Sequence, residues 1–125
     1  MSIMISRSPR VEVIIQGARA RPLSNGNLTA NGSEQTLAEF VGTGSVYGSV
    51  GLDEMVEDDT VVIRQYIQQI VGNSYHLYGS ESYSGVQVLP VVYFPAKATT
   101  VAIKTTLKQT SGAYKRYRHD FLWEG

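Results

Sequence analysis

The feature that most constrains the fold is a series of short runs rich in β-branched and aromatic residues, separated by turn residues. The turns recur at intervals of about ten residues, a spacing typical of β-sandwiches and barrels. No window of about 12 residues has the spacing of apolar side chains that an amphipathic helix needs. The chain is therefore predicted to be all-β.

The strongest predicted strand covers residues 60–71. Val61, Ile63 and Ile67 share one face of it, which predicts a strand with one buried side. The turn at residues 72–74 is followed by a predicted hairpin partner over residues 75–83.

The next strand is predicted over residues 86–94. Pro90 lies inside this run and Pro95 ends it. Because proline cannot donate a backbone hydrogen bond, Pro90 indicates an edge strand or a bulge.

Residues 101–110 alternate in the same way, and the turn at residues 111–113 predicts a second hairpin with residues 114–123. That last strand places four large side chains on one face: Tyr117, His119, Phe121 and Trp123.

The first half of the chain has weaker signals. Residues 28–30 and 35–40 flank a turn, residues 45–52 form a further strand, and residues 53–59 form an acidic link with room for one helical turn. With the elements above, they predict an antiparallel β-sandwich of jelly-roll or Greek-key type with about eight or nine strands.

Composition limits the class of protein. The 125-residue chain is 42% apolar and 18% charged, with a formal net charge of zero, which is typical of a folded domain. A neutral balance gives no long-range attraction to nucleic acid or to an anionic membrane. It also weakens repulsion between copies, which favours self-association. The chain has no cysteine, so disulfides and thiolate metal sites are excluded.

The predicted location follows from the absence of targeting signals. Residues 1–7 do not have the pattern of a signal peptide, and no stretch approaches the roughly 20 apolar residues of a membrane span. We expect synthesis in a cytoplasm, of a cell or of an infected host, and no membrane partner.

Residues 1–23 are predicted to form an N-terminal arm and residues 24–125 the sandwich domain. The boundary falls in residues 17–27, whose small and turn-forming residues indicate a flexible connection. The arm holds one apolar strand, residues 11–16, among basic residues, and such a strand can add to a sheet edge of a neighbouring subunit. The alternative is that it is the first strand of the domain's own sheet. The predicted interface residues are Ile3, Ile5, Arg7, Arg10, Val11, Val13, Ile15, Arg19 and Arg21.

The sequence contains none of the common active-site patterns. The acidic residues at 53–59 lack the spacing of an EF-hand loop, and neither His76 nor His119 has a second residue at metal-ligand spacing. A Gly-x-Ser-x-Gly elbow and a phosphate-binding GK[ST] loop are also absent. We therefore predict a non-enzymatic protein with no catalytic residue, no metal and no cofactor.

Tyrosine and arginine side chains are the candidates for contact with a ligand or partner. Tyrosines on a sheet face can stack on sugar rings or pack in a protein interface; those considered are Tyr47, Tyr66, Tyr75, Tyr78, Tyr83 and Tyr93. Two arginines on an outer strand face make only a modest basic patch, so direct nucleic-acid binding is not expected. The predicted ligand or partner surface is Tyr66, Tyr78, Tyr93, Arg116 and Arg118.

Four phrases of the sequence carry a resemblance. Residues 28–37, 59–64, 83–87 and 106–112 read LTANGSEQTL, DTVVIR, YSGVQ and TLKQTSG. In this order they resemble small β-rich virion structural proteins of tailed phages and related viruses. The resemblance covers about residues 28–123. It implies a capsid-associated or tail-associated sandwich, such as a capsid decoration protein, and brings no catalytic motif.

These observations together predict a virion structural or assembly protein that self-associates through its sandwich and its arm. Its expected partners are other copies of itself and a capsid or tail protein, and its expected location is the virion, or the cytoplasm if the protein is cellular. The alternative is a carbohydrate-binding β-sandwich module that uses surface tyrosines.

Overall fold

The computed structural model of the chain describes residues 19–125, so the predictions for residues 1–18 lie outside the described residues. The described chain contains eight strands: β1 (Arg21–Thr29), β2 (Gln35–Val41), β3 (Gly44–Gly51), β4 (Thr60–Gln68), β5 (His76–Ser84), β6 (Val91–Thr99), β7 (Ala102–Ser111) and β8 (Arg116–Glu124).

The strands form two antiparallel sheets of four strands each. Sheet A has the order β1-β8-β3-β6, and sheet B has the order β2-β7-β4-β5. Only the β4–β5 connection joins neighbours within a sheet; every other connection crosses from one sheet to the other. This interleaved order is that of an eight-stranded jelly roll. The predicted fold class, an all-β antiparallel sandwich, is confirmed.

The core lies between the sheets and follows the predicted alternation. Val61 and Ile63 of β4 are buried, as is Leu107 of β7, and they face Tyr117 and Phe121 of β8 across the core cluster. Because successive side chains of a strand point to opposite faces, one period-2 pattern is enough to build each wall of this core.

Gly48 of β3 allows the close approach of β8 to β3. A Cβ atom at this position would lie 2.5 Å from the Asp120 carbonyl oxygen and 2.6 Å from the Phe121 ring. The absent side chain therefore leaves the room in which the Phe121 ring packs, 6.1 Å centroid to centroid from the ring of Phe94 on β6.

The strand predicted over residues 86–94 exists as an edge strand, but its predicted bounds were wrong. Residues 86–90 form a loop, and β6 runs from Val91 to Thr99 with Pro95 inside it. Pro95 is tolerated because β6 is the edge strand of sheet A and the pairing with β3 shifts register there, between Val46 and Gly48. An edge position and a bulge are the two places where a strand accommodates a proline, so the reasoning applied to Pro90 holds for Pro95 instead.

The predicted second hairpin was also wrong. The turn at residues 111–113 does not pair β7 with β8, because β7 belongs to sheet B and β8 to sheet A. Gly112 has φ of +85°, a conformation that glycine adopts without strain. It directs the chain across the sandwich rather than back along the same sheet.

The predicted flexible connection at residues 17–27 is a strand over most of its length. Arg21, Pro22 and Leu23, which the prediction placed in the arm, belong to β1, and β1 pairs with β8 from Arg21 opposite Trp123 to Thr29 opposite Arg116. A bulge between Pro22 and Ser24 accommodates the proline. Residues 53–59 form turns with no helix, whereas the turn at residues 72–74 is as predicted, with Gly72 at φ +87°.

Candidate functional site

The most exposed large apolar side chains of the described residues include a run in the β5–β6 loop and the start of β6. Val88 is 94% exposed and Leu89 is 81% exposed. We call the set the apolar edge: Val86, Val88, Leu89, Val91 and Tyr93. Contiguous exposed apolar residues of this kind mark interaction surfaces in soluble proteins.

The loop that carries the apolar edge is held by hydrogen bonds at both of its ends. The amide of Gly85 donates to the Asp59 carbonyl at 2.9 Å, and the amide of Leu52 donates to the Pro90 carbonyl at 2.6 Å. The Gln87 side chain also donates to the Ser84 carbonyl at 3.0 Å. The exposed side chains therefore stand on an anchored loop, which lowers the entropy lost when a partner binds.

Two strand edges that have no paired neighbour within residues 19–125 lie on the same side of the sandwich as this loop. β6 ends sheet A and β5 ends sheet B, and their outward residues Tyr93 and Leu77 are 62% and 53% exposed. Edge strands offer free backbone donors and acceptors to another chain unless they are protected. Pro95 and the bulge beside it protect only the second half of β6.

The predicted ligand surface is divided between the two sheets. Tyr66 lies on β4 and Tyr78 on β5 in sheet B, whereas Tyr93, Arg116 and Arg118 lie in sheet A. The five residues therefore do not form one surface. Among them, burial raises the pKa of the Tyr78 hydroxyl to about 12.

Arg116 is paired with an acid. Its guanidinium Nη2 lies 3.0 Å from Glu54 Oε2, and its backbone amide donates to Glu54 Oε1 at 3.4 Å. Together with Arg118, Asn27 and Asp53 these residues line a hollow of about 110 Å³. The acids offset the basic charge here, so this face does not have the excess of positive charge that phosphate backbones attract.

A cluster of tyrosines and charged residues occupies the outer face of sheet B. The Lys104 ammonium lies 5.3 Å from the centroid of the Tyr66 ring and 4.6 Å from that of the Tyr75 ring. The Tyr75 hydroxyl donates to Glu39 Oε2 at 2.6 Å, and the Tyr66 hydroxyl donates to Glu34 Oε2. Cation–π contacts and charge-assisted hydrogen bonds thus fix both rings.

Hydrogen bonding in this cluster favours an ionised Glu34 and a neutral Tyr75 hydroxyl, as the directions of their pKa shifts indicate. Burial opposes the charge on Glu34, but hydrogen bonds from Thr106 and Tyr66 and the nearby cations hold the pKa of Glu34 below its ordinary value. Burial and the Glu39 carboxylate raise the pKa of Tyr75. Tyr75 was among the tyrosines considered from the sequence. Its partners Glu39 and Lys104 were not found, because they lie on strands distant in the sequence and knowledge of the strand pairing is needed to identify them.

Of the predicted interface residues, only Arg19 and Arg21 fall within the described part of the chain. Arg19 is exposed ahead of β1, and the Arg21 guanidinium lies over the Trp123 ring, 4.7 Å from its centroid. The remaining interface residues lie outside residues 19–125: Ile3, Ile5, Arg7, Arg10, Val11, Val13 and Ile15.

Residues 19–125 contain no group of three or more His, Asp or Glu side chains placed to hold a metal ion. Within the same residues, no helix has the length and apolar character needed to cross a bilayer.

No protein-family model matches the chain, and no curated protein matches it. Among solved structures, the chain is similar to the crystal structure of the infectious bursal disease virus VP2 subviral particle, with a TM-score of 0.49, 11% identity, and coverage of 87% of this chain and 32% of that chain. It is also similar to the structure of the infectious bursal disease virus Gt strain, with a TM-score of 0.48, 11% identity, and coverage of 87% and 33%. The chain spans about a third of the length of these solved chains.

Proposed function

We propose that this chain is a non-enzymatic structural subunit of a virion, a capsid decoration or tail-associated protein that self-associates. The observation that carries the proposal is the apolar edge, because five large apolar side chains on an anchored loop and on β6, the last described strand of sheet A, are a surface suited to a partner. The neutral net charge supports the same conclusion, since copies do not repel one another strongly.

The jelly-roll strand order is compatible with this function but does not select it. Jelly rolls occur in viral capsids, in lectins and in cupins, and a fold by itself does not assign a function. The resemblance of residues 28–123 to small virion proteins of tailed phages and related viruses favours the capsid or tail alternative over the others.

The proposed assembly has two contacts. One is the apolar edge against a neighbouring copy or a capsid or tail protein. The other is the N-terminal arm, residues 1–23 as predicted from the sequence, of which Arg21, Pro22 and Leu23 belong to β1.

The apolar edge is tested by charge substitution and light scattering. Leu89→Asp is expected to lower the mean mass of the purified full-length chain, because a buried carboxylate without a partner is strongly unfavourable in an interface. Tyr114→Asp is the control, since Tyr114 is 55% exposed and lies in the β7–β8 loop, outside the apolar edge. An equal effect of the two substitutions, or no effect of Leu89→Asp, argues against the edge as the contact.

The arm is tested in the same assay with Val13→Asp combined with Ile15→Asp, against Ser2→Asp combined with Ser6→Asp as the control of equal charge. The first pair is expected to lower the mass of the assembled form and the second to leave it unchanged. An unchanged mass with the first pair removes the arm from the proposal and leaves the apolar edge as the contact.

The second candidate function is carbohydrate binding, and the observation that favours it is the pair of rings Tyr66 and Tyr75 on the outer face of sheet B. Calorimetric titration with a panel of oligosaccharides tests it. A lectin is expected to show saturable binding that Tyr75→Ala abolishes and that Tyr114→Ala, an exposed tyrosine in the β7–β8 loop, retains. Absence of saturable binding removes this candidate.

A further inference from the structure

We propose that a cleft at the opposite end of the sandwich from the apolar edge is the binding site for residues 11–16 of the same subunit. The proposal goes beyond the proposed function, because it places the arm of a free subunit in this cleft. Assembly must then release the arm from the cleft. It does not depend on a virion role.

The cleft has a volume of about 680 Å³ and opens between the ends of the two sheets. Sheet A contributes Ser45 of β3 and Ala98 and Thr99 of β6, and sheet B contributes Ile67 of β4. Small side chains on one wall leave room for large ones from another segment. A cleft of this volume lies in the range of pockets that bury a ligand.

Three exposed apolar side chains lie in sequence beside residues that line the cleft and form part of its rim. Val41, Ile70 and Val71 are 74%, 62% and 81% exposed, and they lie at or within the β2–β3 and β4–β5 connections, which contribute Thr43 and Gln69 to the cleft. A rim of this kind is expected to be covered by an apolar segment. Residues 11–16 read VEVIIQ and supply such a segment, with Val11, Val13 and Ile15 on one face of an extended strand.

The position of β1 brings this segment to the cleft. β1 begins with Arg21 paired to Trp123, and the next two residues, Glu124 at the end of β8 and Gly125 after it, line the cleft. The chain that precedes β1 therefore enters at the cleft end of the molecule, not at the end that carries the apolar edge.

The connecting residues are long enough for docking within one subunit. From β1 across β8 and β3 to β6 there are three strand spacings, or about 14 Å at about 4.8 Å each. The five steps from residue 16 to residue 21 span up to about 17 Å when extended. Gly17 lies at the start of this connection and tolerates the reversal that the path requires.

Charge does not oppose this pairing, and the tether favours it. Glu124 is the one charged side chain among the described residues that line the cleft, and its carboxylate accepts a hydrogen bond from the Tyr47 hydroxyl at 2.8 Å. In the segment, Glu12 alternates with the apolar residues, and Arg10 and Arg19 flank it. Because the segment is tethered to the site, its effective concentration there is about millimolar, so its own cleft is expected to win over that of another copy in dilute solution.

The test uses engineered cysteines, since the chain has none of its own. Val13→Cys is combined with Gln69→Cys at the cleft, and in the control protein with Ser82→Cys, which pairs with Val62 away from the cleft. Both full-length proteins are oxidised at high dilution, and the products are separated by electrophoresis without reductant. The cleft pair is expected to form an intramolecular disulfide about tenfold faster than the control pair.

Each outcome bears on the proposal. Equal rates for the two pairs overturn it, and a disulfide that links two chains in dilute solution replaces docking within one subunit by exchange between subunits. As an independent measurement, the reaction of a single Gln69→Cys thiol with a disulfide reagent is expected to quicken several-fold when Val13 and Ile15 are changed to Asp. No change in that rate also overturns the proposal. Neither measurement depends on the assembled mass, so failure here and failure of the proposed function are distinguishable.

Discussion

The Lys115 ammonium lies 3.0 Å from Oδ2 of Asp59, a carboxylate whose side chain has no exposed surface. The pair joins the β7–β8 loop to the residue that precedes β4. The Val56 amide donates to the same carboxylate at 2.9 Å, and the Gln109 amide nitrogen lies 3.4 Å from its other oxygen. A buried carboxylate with this set of donors ties the loops at the end of the sandwich that carries the apolar edge.

The first prediction concerns the loss of this charge. Asp59→Asn is expected to lower the free energy of unfolding by about 3 kcal/mol, because removal of one member of a buried ion pair leaves the other without its partner. Asp58→Asn is the control, since Asp58 is the adjacent acid and is exposed. Urea unfolding of the two variants checks the prediction, and equal stabilities would contradict it.

The second prediction concerns acid. Burial opposes the charge on Asp59, but the Val56 amide and Lys115 hold the pKa of Asp59 below its ordinary value of 3.8. A carboxyl with a lower pKa in the folded chain than in the unfolded chain stabilises the fold above the unfolded pKa, and that stabilisation is lost as pH falls through the folded pKa. The wild-type chain is therefore expected to lose stability below about pH 4. Asp59→Asn should lose less over the same interval, as measured by unfolding in urea at each pH. Parallel curves would show that other carboxyl groups account for the loss.

The third prediction compares two glycines with nearly the same φ. Gly112 has φ of +85° and Gly72 has φ of +87°. A Cβ at position 112 would lie 1.9 Å from Asp59 Oδ1, whereas a Cβ at position 72 would meet nothing within 4 Å. Gly72→Ala is therefore expected to cost about 1 kcal/mol through backbone strain alone.

Gly112→Ala adds a clash with the buried pair and is expected to cost about 2 kcal/mol more than Gly72→Ala. Thermal unfolding of both variants measures the difference. If the two variants melt at the same temperature, Asp59 can move away from the new methyl group and the ion pair is less constrained than its geometry indicates.

The strands that the sequence predicted well are those whose pattern is local. In β4 the alternation of Val61 and Ile63 follows from strand geometry alone, so it survives in the structure. The place of Pro95 could not be predicted in the same way, because a proline is acceptable in β6 only once β6 is known to be an edge strand with a bulge.

The candidate surfaces likewise depend on contacts that are not local in the sequence. Val88 and Leu89 have high β-propensity, which alone predicts a strand, but they lie in the exposed β5–β6 loop. Their exposure depends on which other parts of the chain pack against them. The contacts of Lys104 with Tyr66 and Tyr75 depend on the pairing of β4 with β7 and on the β4–β5 turn. Both surfaces therefore required the tertiary structure.

The last prediction concerns His119 and a milder range of pH. The Ser24 hydroxyl donates to the Leu37 carbonyl at 2.7 Å and lies 3.2 Å from His119 Nε2. Because the Ser24 hydroxyl hydrogen is donated to Leu37, the Ser24 oxygen is free to accept a hydrogen bond from His119 Nε2. His119 Nδ1 is buried, and within the described residues it has no hydrogen-bond partner.

Burial lowers the pKa of His119 below its ordinary value of 6.5. The unfolded chain therefore takes up a proton at this position before the folded chain does, so stability is expected to fall as pH decreases from about 6.5 toward the folded pKa. His119→Gln should remove this dependence, because glutamine retains a donor and does not titrate. His76→Gln, at an exposed histidine of β5, should preserve it. Urea unfolding across this range checks the prediction. A profile unchanged by His119→Gln would mean that the contact between β1 and β8 at Ser24 does not respond to acid through His119.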